Sequence, residues 1–233
     1  MDTKFWGPDG WKLLHSIAVT YPDNPDKDTK SLYSTFFYSI SNVLPCIYCR
    51  ISFAEYIEEL PIDDYLNSSK DLSKWLYLIH NKVNEKLRKQ KLNKKKNPKL
   101  DTIHKRYIKY VKDVNNNKKD APGFDFLYSI VFNFTYTRDK IKLNRIKQYE
   151  IFFTLLGLIL PFKLLKEIYI IHIVKNDLVL KKQCNQSLKL WLHQLELTYK
   201  MNIDSECLCF KKTCMNIEQY KVGCKNNTCR KSK

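Results

Sequence analysis

Two cysteines separated by two residues, Cys46 and Cys49, are the side chains in this sequence best suited to chemistry. Pro45 suits the first turn of a helix, where its missing N–H leaves no hydrogen bond unmade, so the pair is predicted to lie at a helix N-terminus, one turn apart. The partial positive charge there stabilises a thiolate and lowers its pKa below the usual value of about 8.5. The spacing predicts thiol–disulfide exchange, and Arg50 adds to the positive field.

Other uses of such a cysteine pair fit the surrounding sequence less well. Half of a zinc site would need a second close Cys/His pair, and the nearby histidines, His15 and His80, do not have finger spacing. A thioredoxin-type motif lies among alternating strands and helices, whereas this region has no strand pattern. A helical redox unit therefore needs a different electron acceptor.

Helical periodicity runs through most of the chain. Apolar residues at spacings of three and four predict four amphipathic helices by about residue 87, and a fifth around residues 101–114. The content of 44% hydrophobic and 13% aromatic residues with only 5 glycines favours buried helical cores over an all-β protein. We therefore expect an all-α fold whose first unit is a bundle of four to five helices.

The second half of the sequence repeats the first. Residues 10–17 match residues 123–130, which lie 113 positions later (123 minus 10). Leu72, Trp75 and Leu76 match Leu188, Trp191 and Leu192, which lie 116 positions later (188 minus 72). The same order of matches predicts a second helical bundle. The domain boundaries follow as 1–114 for the first bundle, 115–120 for a polar linker, 121–200 for the repeat and 201–233 for a cysteine-rich basic tail.

The repeat lacks the reactive groups of the first half. Phe162 and Leu165 stand in place of the cysteine pair. Glu196 and Leu197 stand in place of His80 and its neighbour Asn81. The second bundle is therefore predicted to be a degenerate copy without the redox chemistry.

Three motifs in the first hundred residues carry a family resemblance. They read Trp6-Gly7-Pro8-x-x-Trp11-x-x-Leu14-His15-x-x-Ala18-x-x-Tyr21-Pro22, then Leu44-Pro45-Cys46-x-x-Cys49-Arg50, then Trp75-x-x-x-x-His80-Asn81-x-Val83-Asn84-x-x-Leu87. Together they resemble the Erv/ALR family of FAD-linked sulfhydryl oxidases, and most closely the branch carried by large cytoplasmic DNA viruses.

The resemblance implies a helical bundle that holds FAD beside the cysteine pair. The FAD contacts that it implies are Gly7, Trp11, His15, Tyr21, Cys49, Trp75, His80, Asn81, Val83, Asn84 and Lys99. Among these, Trp75 offers a stacking surface for the adenine, Asn81 a fork of hydrogen bonds, and Lys99 a phosphate contact. Cys49 is the implied flavin-proximal sulfur and Cys46 the exchange cysteine. The implied activity forms disulfides in thiol-containing protein substrates, with a thioredoxin-like carrier as one candidate, and passes the electrons to O₂ to give hydrogen peroxide.

The sequence departs from the family pattern in two respects. Many members have another cysteine pair that staples the bundle, but residues 1–120 contain only Cys46 and Cys49. Members also usually pair as dimers, and here the degenerate copy offers an intramolecular pseudo-dimer, with homodimerisation left open.

The tail cysteines have three interpretations. Cys207-Leu208-Cys209 resembles the Cys-x-Cys shuttle of some members, which relays electrons from substrate thiols to the buried pair. Alternatively, the tail holds disulfides without a relay role. The third interpretation is a zinc site that draws on Cys207, Cys209, Cys214, Cys224 and Cys229, although their irregular spacing does not form familiar zinc modules. No metal ligand set is assigned from the sequence.

Charge and the absence of targeting signals set the remaining expectations. The formal charge is +17, and Lys86 to Lys119 holds fourteen Lys/Arg against two Asp, which is typical of a solvated face. The alternative function is a binding module, either an inactive helical scaffold or a nucleic-acid binder that uses this segment; we expect no specific nucleic acid. The start has no signal-peptide pattern, and the longest uncharged apolar run, Ile151 to Phe162, is shorter than the roughly 20 residues that span a bilayer. We expect a cytoplasmic protein, in the host cytoplasm, virus factory or virion if viral, and not a secreted one.

Overall fold

The computed structural model describes residues 2–134, 140–176 and 185–221. Within these ranges the regular structure is helical. The helices are α1 (Thr3–Val19), α2 (Lys27–Val43), α3 (Ile47–Glu59), a 3₁₀ helix (Ile62–Tyr65), α4 (Ser69–Lys89), α5 (Leu100–Asn115), α6 (Phe124–Phe132), α7 (Lys140–Ile159), α8 (Lys163–Lys175), α9 (Asn185–Asn202), α10 (Phe210–Glu218) and a 3₁₀ helix (Gln219–Lys221). The predicted all-α fold is confirmed for this part of the chain.

Capping side chains define where the first helices begin. The Asp2 carboxylate accepts a hydrogen bond from the Lys4 amide at 2.9 Å, at the start of α1. Asp26 does the same for α2, and Ser68 for α4. These side chains satisfy amides that have no partner within their own helix, so short local signals suffice to set the boundaries.

The first five helices pack into one bundle, and the boundary of this domain at residue 114 stays a prediction. Helix α1 packs against α4 and α5, and α2 packs against α3. Ile17, Phe36 and Ile79 are fully buried where these helices meet. The fifth helix extends one residue beyond its predicted range at each end. This bundle brings the N-terminus of α3 and the polar faces of α1, α4 and α5 into one unit.

The helices of the second half follow the sequence repeat. Helix α8 begins and ends 116 residues after α3, since Lys163–Lys175 follows Ile47–Glu59 at that distance. Helix α9 begins 116 residues after α4, and α7 ends 116 residues after α2. The two halves thus share a helical register as well as a residue pattern.

The contacts between the halves are reciprocal. A Cβ atom at Gly10 would lie 3.0 Å from the Phe126 ring, and one at Gly123 would lie 2.8 Å from Leu13 Cδ2. Gly123 and Phe126 lie 113 residues after Gly10 and Leu13, so they are the repeat equivalents of these two residues. In both close approaches, therefore, the glycine of one half lies against the equivalent side chain of the other half. In addition, Phe36 stacks on Phe152, 116 residues later, with ring centroids 5.5 Å apart. Such exchanged contacts characterise a two-fold relation between similar units.

The tail returns to the beginning of the chain. The Tyr220 ring stacks on Phe5 with centroids 4.1 Å apart, and the Asp2 amide donates to the Tyr220 carbonyl at 3.1 Å. The tail cysteines Cys224 and Cys229 lie outside the described residues. None of the described helices is both long enough and apolar enough to cross a membrane.

Candidate functional site

The cysteine pair lies at the N-terminus of α3. Cys46 is the N-cap residue, in extended conformation, and its carbonyl accepts hydrogen bonds from the amides of Cys49 and Arg50, both at 3.0 Å. Pro45 precedes the cap and does not occupy the first turn, so the helix starts slightly later than predicted. The prediction that the cysteines lie one turn apart at a helix N-terminus is confirmed. The helix dipole therefore favours a thiolate at this position.

The surroundings of the pair differ from the expected ones in two ways. The Arg50 guanidinium donates to the Leu44 carbonyl at 2.6 Å, so it holds the turn between α2 and α3. Cys46 is buried and Cys49 is half-buried. A cysteine that meets incoming thiols is expected to be the more exposed of the two, but here Cys46 is the more buried. The assignment of one cysteine to exchange and the other to the flavin stays a prediction.

Apolar side chains are exposed around the cysteines. Ile47, Tyr48 and Ile51 expose 53%, 42% and 50% of their surface. Exposed apolar groups gathered on one helix turn are unusual unless another molecule covers them. This surface is suited to contact with an apolar segment that carries a thiol.

A cluster of aromatic rings joins α1, α4 and α5. The Trp11 and His80 rings stack at 3.9 Å and are nearly parallel. His15 Nε2 lies 3.0 Å from His80 Nδ1, and Tyr107 stacks on the His15 ring at 4.8 Å. The structure thus brings three predicted cofactor contacts together and adds Tyr107. The sequence placed Tyr107 on the fifth amphipathic helix, but nothing in its spacing pointed to His15.

Both histidines of the cluster are held neutral. Burial and the neighbouring His80 lower the pKa of His15 to about 3, and burial lowers the pKa of His80 to about 4. One ring therefore donates to the other near neutral pH. His15 Nδ1 is buried and has no hydrogen-bond partner among the described residues. A buried polar atom that lacks a hydrogen-bond partner, next to a cluster of aromatic rings, indicates a place for a polar atom of a ligand.

A polar clasp follows the end of α4. The Asn84 side chain donates to Asn97 Oδ1 at 3.1 Å and accepts from Asn93 at 3.2 Å. The Arg88 guanidinium also donates to Asn97, at 3.0 Å. Sequence reasoning selected Asn84 but missed the other three residues, because their partnership arises only when the loop folds back on the helix. The clasp fixes a loop that contains Lys94, Lys95 and Lys96.

Lys99 is placed where an anion would be stabilised. It is the N-cap of α5, and its side chain forms no capping hydrogen bond. The Pro98 carbonyl before it accepts from the Tyr77 hydroxyl at 2.9 Å, which anchors the loop to α4. Together, the helix N-terminus and the loop lysines favour phosphate groups.

Two predicted cofactor contacts lie in the core. Trp75 is fully buried, donates from Nε1 to the Leu60 carbonyl at 2.9 Å, and meets Phe37 edge-on. Tyr21 is buried, and its hydroxyl donates to the Leu66 carbonyl at 3.1 Å. The structure gives both residues packing partners. Their contact with a cofactor, including adenine stacking on Trp75, stays a prediction.

The remaining predicted contacts are partly exposed. Gly7 lies on α1, and a Cβ atom there would meet nothing within 4 Å. Asn81 and Val83 are half-buried on α4, beside His80. Their roles also stay predictions.

The described tail cysteines do not share one environment. Cys207, Cys209 and Cys214 are free thiols, with Cys209 exposed and the other two half-buried. Cys207 lies against α9, where its donor atom is within 4.8 Å of those of His193 and Glu196. The choice among a shuttle, structural disulfides and a zinc site stays open for the tail.

The sequence is similar to several proteins that are named as FAD-linked sulfhydryl oxidases. A probable FAD-linked sulfhydryl oxidase of Acanthamoeba polyphaga mimivirus is 44% identical over 85 residues, which cover 36% of this chain and 59% of that protein. The mitochondrial FAD-linked sulfhydryl oxidase of Saccharomyces cerevisiae is 37% identical over 92 residues, 40% of this chain and 48% of the relative. A putative FAD-linked sulfhydryl oxidase of Invertebrate iridescent virus 3 is 32% identical over 107 residues, 46% of this chain and 68% of the relative.

A solved structure and a family model complete the comparisons. The crystal structure of the yeast Erv1 core is 33% identical and covers 46% of this chain and 84% of that one, with a TM-score of 0.41. The chain spans about half of the yeast mitochondrial relative and 59% of the mimivirus one. Residues 8–108 match the model of the Erv1 / Alr family. With this match and the identity to the iridescent-virus protein, the chain belongs to the Erv1/Alr family.

Proposed function

We propose that the chain is an FAD-dependent thiol oxidase that forms disulfide bonds in substrate proteins through Cys46 and Cys49. The single observation that carries the proposal is this cysteine pair at the N-terminus of α3, within a region that matches the family. A family relationship to FAD-linked sulfhydryl oxidases supports the same chemistry.

The residues present fit FAD. The buried and orphaned His15 Nδ1 offers a partner for a polar ring atom, and the stacked Trp11 and His80 rings offer a flat aromatic surface. The Asn84 clasp and Lys99 at the start of α5 offer amide and cationic groups for the diphosphate. When bound, FAD would supply, beside Cys49, the acceptor for the two electrons released as the Cys46–Cys49 disulfide forms again, with O₂ and two protons giving hydrogen peroxide as the final product.

The cysteine pair carries out the exchange with substrate. A substrate thiolate attacks Cys46 of the Cys46–Cys49 disulfide, so the S–S bond breaks and Cys49 leaves as a thiolate stabilised by the helix N-terminus. The second substrate thiol then attacks the mixed disulfide and releases Cys46 as a thiol. The substrate loses two electrons and two protons. The pair gains both electrons and Cys46 takes up one proton, while the other proton passes to solvent because Cys49 stays a thiolate. The exposed Ile47, Tyr48 and Ile51 contact the apolar surface around the substrate thiol.

We propose further that residues 121–200 are a degenerate copy that serves as an intramolecular partner of the first bundle. The shared helix register and the reciprocal approaches at Gly10 and Gly123 support this. We expect sedimentation to give a monomer of 27.9 kDa. A homodimer joined through α1 and α2 would contradict the proposal.

The site of action, which we propose to be the host cytoplasm, rests on the viral relatives.

The purified chain should be yellow and should consume O₂ when supplied with dithiothreitol. Cys49→Ser is expected to abolish flavin reduction by dithiothreitol, because the thiolate that reduces the flavin is removed. Cys214→Ser is the matched control, since this half-buried thiol lies in the tail, and it should keep full activity. A colourless and inactive preparation after FAD is added would contradict the proposal.

A further inference from the structure

Three metal-ligating side chains meet in the second half of the chain, away from the cysteine pair. The donor atoms of His193, Glu196 and Cys207 all lie within 4.8 Å of one another. His193 is buried and the other two residues are half-buried. His193 and Glu196 are three residues apart on α9 and therefore share a face of the helix. Cys207 comes from the connection between α9 and α10.

The cluster is held in place from several sides. The buried Tyr128 hydroxyl donates to Glu196 Oε2 at 2.7 Å and lies 3.3 Å from His193 Nδ1. The Phe210 ring, at the start of α10, lies 5.4 Å from the His193 ring and covers it. A tyrosine that orients both an imidazole and a carboxylate resembles the outer hydrogen bonds that position metal ligands.

The connection that carries Cys207 is also anchored. Ser205 donates from its amide to the Lys200 carbonyl at 3.0 Å and from its hydroxyl to Asp120 Oδ2 at 3.0 Å. Lys200 forms an ion pair with Asp120 as well. The thiol is therefore brought to α9 by a folded turn.

The donor set favours a metal cation. Thiolate, imidazole and carboxylate are the three ligand types of protein zinc sites, and three protein ligands leave a fourth position for water. Bonds of about 2.0–2.3 Å in a tetrahedron place the donors about 3.3–3.7 Å apart, so side-chain rotation must close the cluster by about 1 Å. Both signs of charge lie near Glu196: the Lys200 ammonium acts on it more strongly than the Asp9 and Asp120 carboxylates do.

We propose that His193, Glu196 and Cys207 bind one zinc ion in the second half of the chain. This inference does not rest on the proposed oxidase function. Tyr128 and Glu196 correspond to His15 and His80 of the first half at the repeat distances of 113 and 116 residues. The helix faces that carry the neutral histidine pair in one half thus carry a metal site in the other. Zinc on Cys207 also keeps this thiol from forming a disulfide with Cys209.

Cobalt titration of the full chain tests the proposal. Cys46→Ser and Cys49→Ser are introduced first, so that the redox pair does not bind the probe, and the protein is reduced and stripped with a chelator. Added Co²⁺ should produce a thiolate-to-cobalt charge-transfer band that saturates at one equivalent and disappears when Zn²⁺ is added. Cys207→Ser should abolish the band. Cys209→Ser, an exposed cysteine two residues away, should leave it unchanged.

Two further variants keep the test decisive if Cys207→Ser misfolds, as judged by circular dichroism. Glu196→Gln and Tyr128→Phe should each weaken Zn²⁺ binding by about tenfold or more, since one removes a ligand and the other removes its orienting hydrogen bond. The proposal is overturned if no thiolate band forms, if the band survives Cys207→Ser, or if both of these variants bind Zn²⁺ as tightly as the parent.

Discussion

Helices α3 and α8 occupy corresponding places in the two halves and differ at the residues that carry chemistry. Each has 13 residues, and each begins after an N-cap whose side chain makes no capping hydrogen bond. In α3 the cap and third helical residue are Cys46 and Cys49, whereas in α8 they are the buried Phe162 and Leu165. The same backbone accommodates both pairs. The helical backbone therefore does not require cysteines at these two positions, and the reactivity of α3 comes from its side chains.

A second difference concerns the polar contact between the first and fourth helices of each half. In the first half two neutral histidines, His15 and His80, face each other at 3.0 Å. In the second half Tyr128 donates to Glu196 at 2.7 Å, and burial raises the pKa values of both groups. Both arrangements bring two polar side chains into contact, but they suit different partners. The first offers aromatic faces and the second offers a carboxylate.

The close approach of the two halves at glycines gives the largest predicted effect on stability. Gly123 has φ of +117° and lies against Leu13, so Gly123→Ala is strained both in its backbone and in space. We expect the free energy of unfolding to fall by about 3 kcal/mol, measured by urea denaturation. Gly10→Ala should cost less, because only the Phe126 ring must move aside.

Gly7→Ala is the control for both substitutions. A Cβ atom there meets nothing within 4 Å, so no contact between the halves changes, and the free energy of unfolding should change less than at Gly10 or Gly123. Equal effects at all three glycines would show that the two halves do not depend on close contact at Gly10 and Gly123.

Equivalent tryptophans should respond differently to the same substitution. Trp75 and Trp191 are both buried and meet Phe37 and Phe153 edge-on. Trp75 Nε1 donates to the Leu60 carbonyl, whereas Trp191 Nε1 has no partner among the described residues. Trp75→Phe should therefore reduce the free energy of unfolding by about 1–2 kcal/mol more than Trp191→Phe. Equal losses would mean that cavity formation alone determines the effect.

Acid should weaken the first half through its histidine pair. The pKa values of His15 and His80 are lowered to about 3 and about 4, below the usual 6.5. Their contribution to stability is complete above pH 6.5 and is lost as the pH falls from there toward 4. Each neutral histidine accounts for about 1.4 kcal/mol per pH unit in this window.

Denaturation of the parent and of His80→Gln at pH 7 and pH 5, at equal flavin content, measures this effect. The variant should lose less stability between the two pH values than the parent. Parallel curves would show that the pair does not titrate with unfolding.

The smallest effect is expected in the tail. If Cys207 and Cys209 relay electrons, Cys209→Ser should slow the oxidation of a folded dithiol protein and leave dithiothreitol oxidation unchanged, because the small thiol reaches Cys46 directly. Oxygen consumption with both substrates measures the difference, with Cys214→Ser as the control. A Cys209→Ser protein that oxidises the folded substrate at the parent rate would contradict the relay.

Local signals account for the parts of the structure that were predicted well. Asp26 and Ser68 begin their helices through bonds to amides three residues away, which is why helix positions could be predicted from the sequence. The position of Cys46 and Cys49 at the start of a helix follows from equally local features. The predicted contact of Trp75 with a cofactor stays a prediction, because a motif does not reveal which groups surround a ring, and the structure shows only its packing against Phe37.

The residues that sequence reasoning missed all depend on long-range contacts. Tyr107 reaches His15 across 92 residues (107 minus 15), and the Asn93 and Asn97 clasp requires a loop to fold back on α4. Cys207 meets His193 only because the chain reverses at Ser205 after α9.

The sequence by itself determined the helical class, the repeated helix register and the placement of the cysteine pair at a helix start, because each depends on the periodicity, spacing or capping of near neighbours. Only the tertiary structure decided which rings surround His15, how Gly10 and Gly123 cross, and which side chains gather around Glu196. These arrangements depend on how separate helices pack. Packing is set by the fit of many side chains at once, which no single stretch of sequence contains.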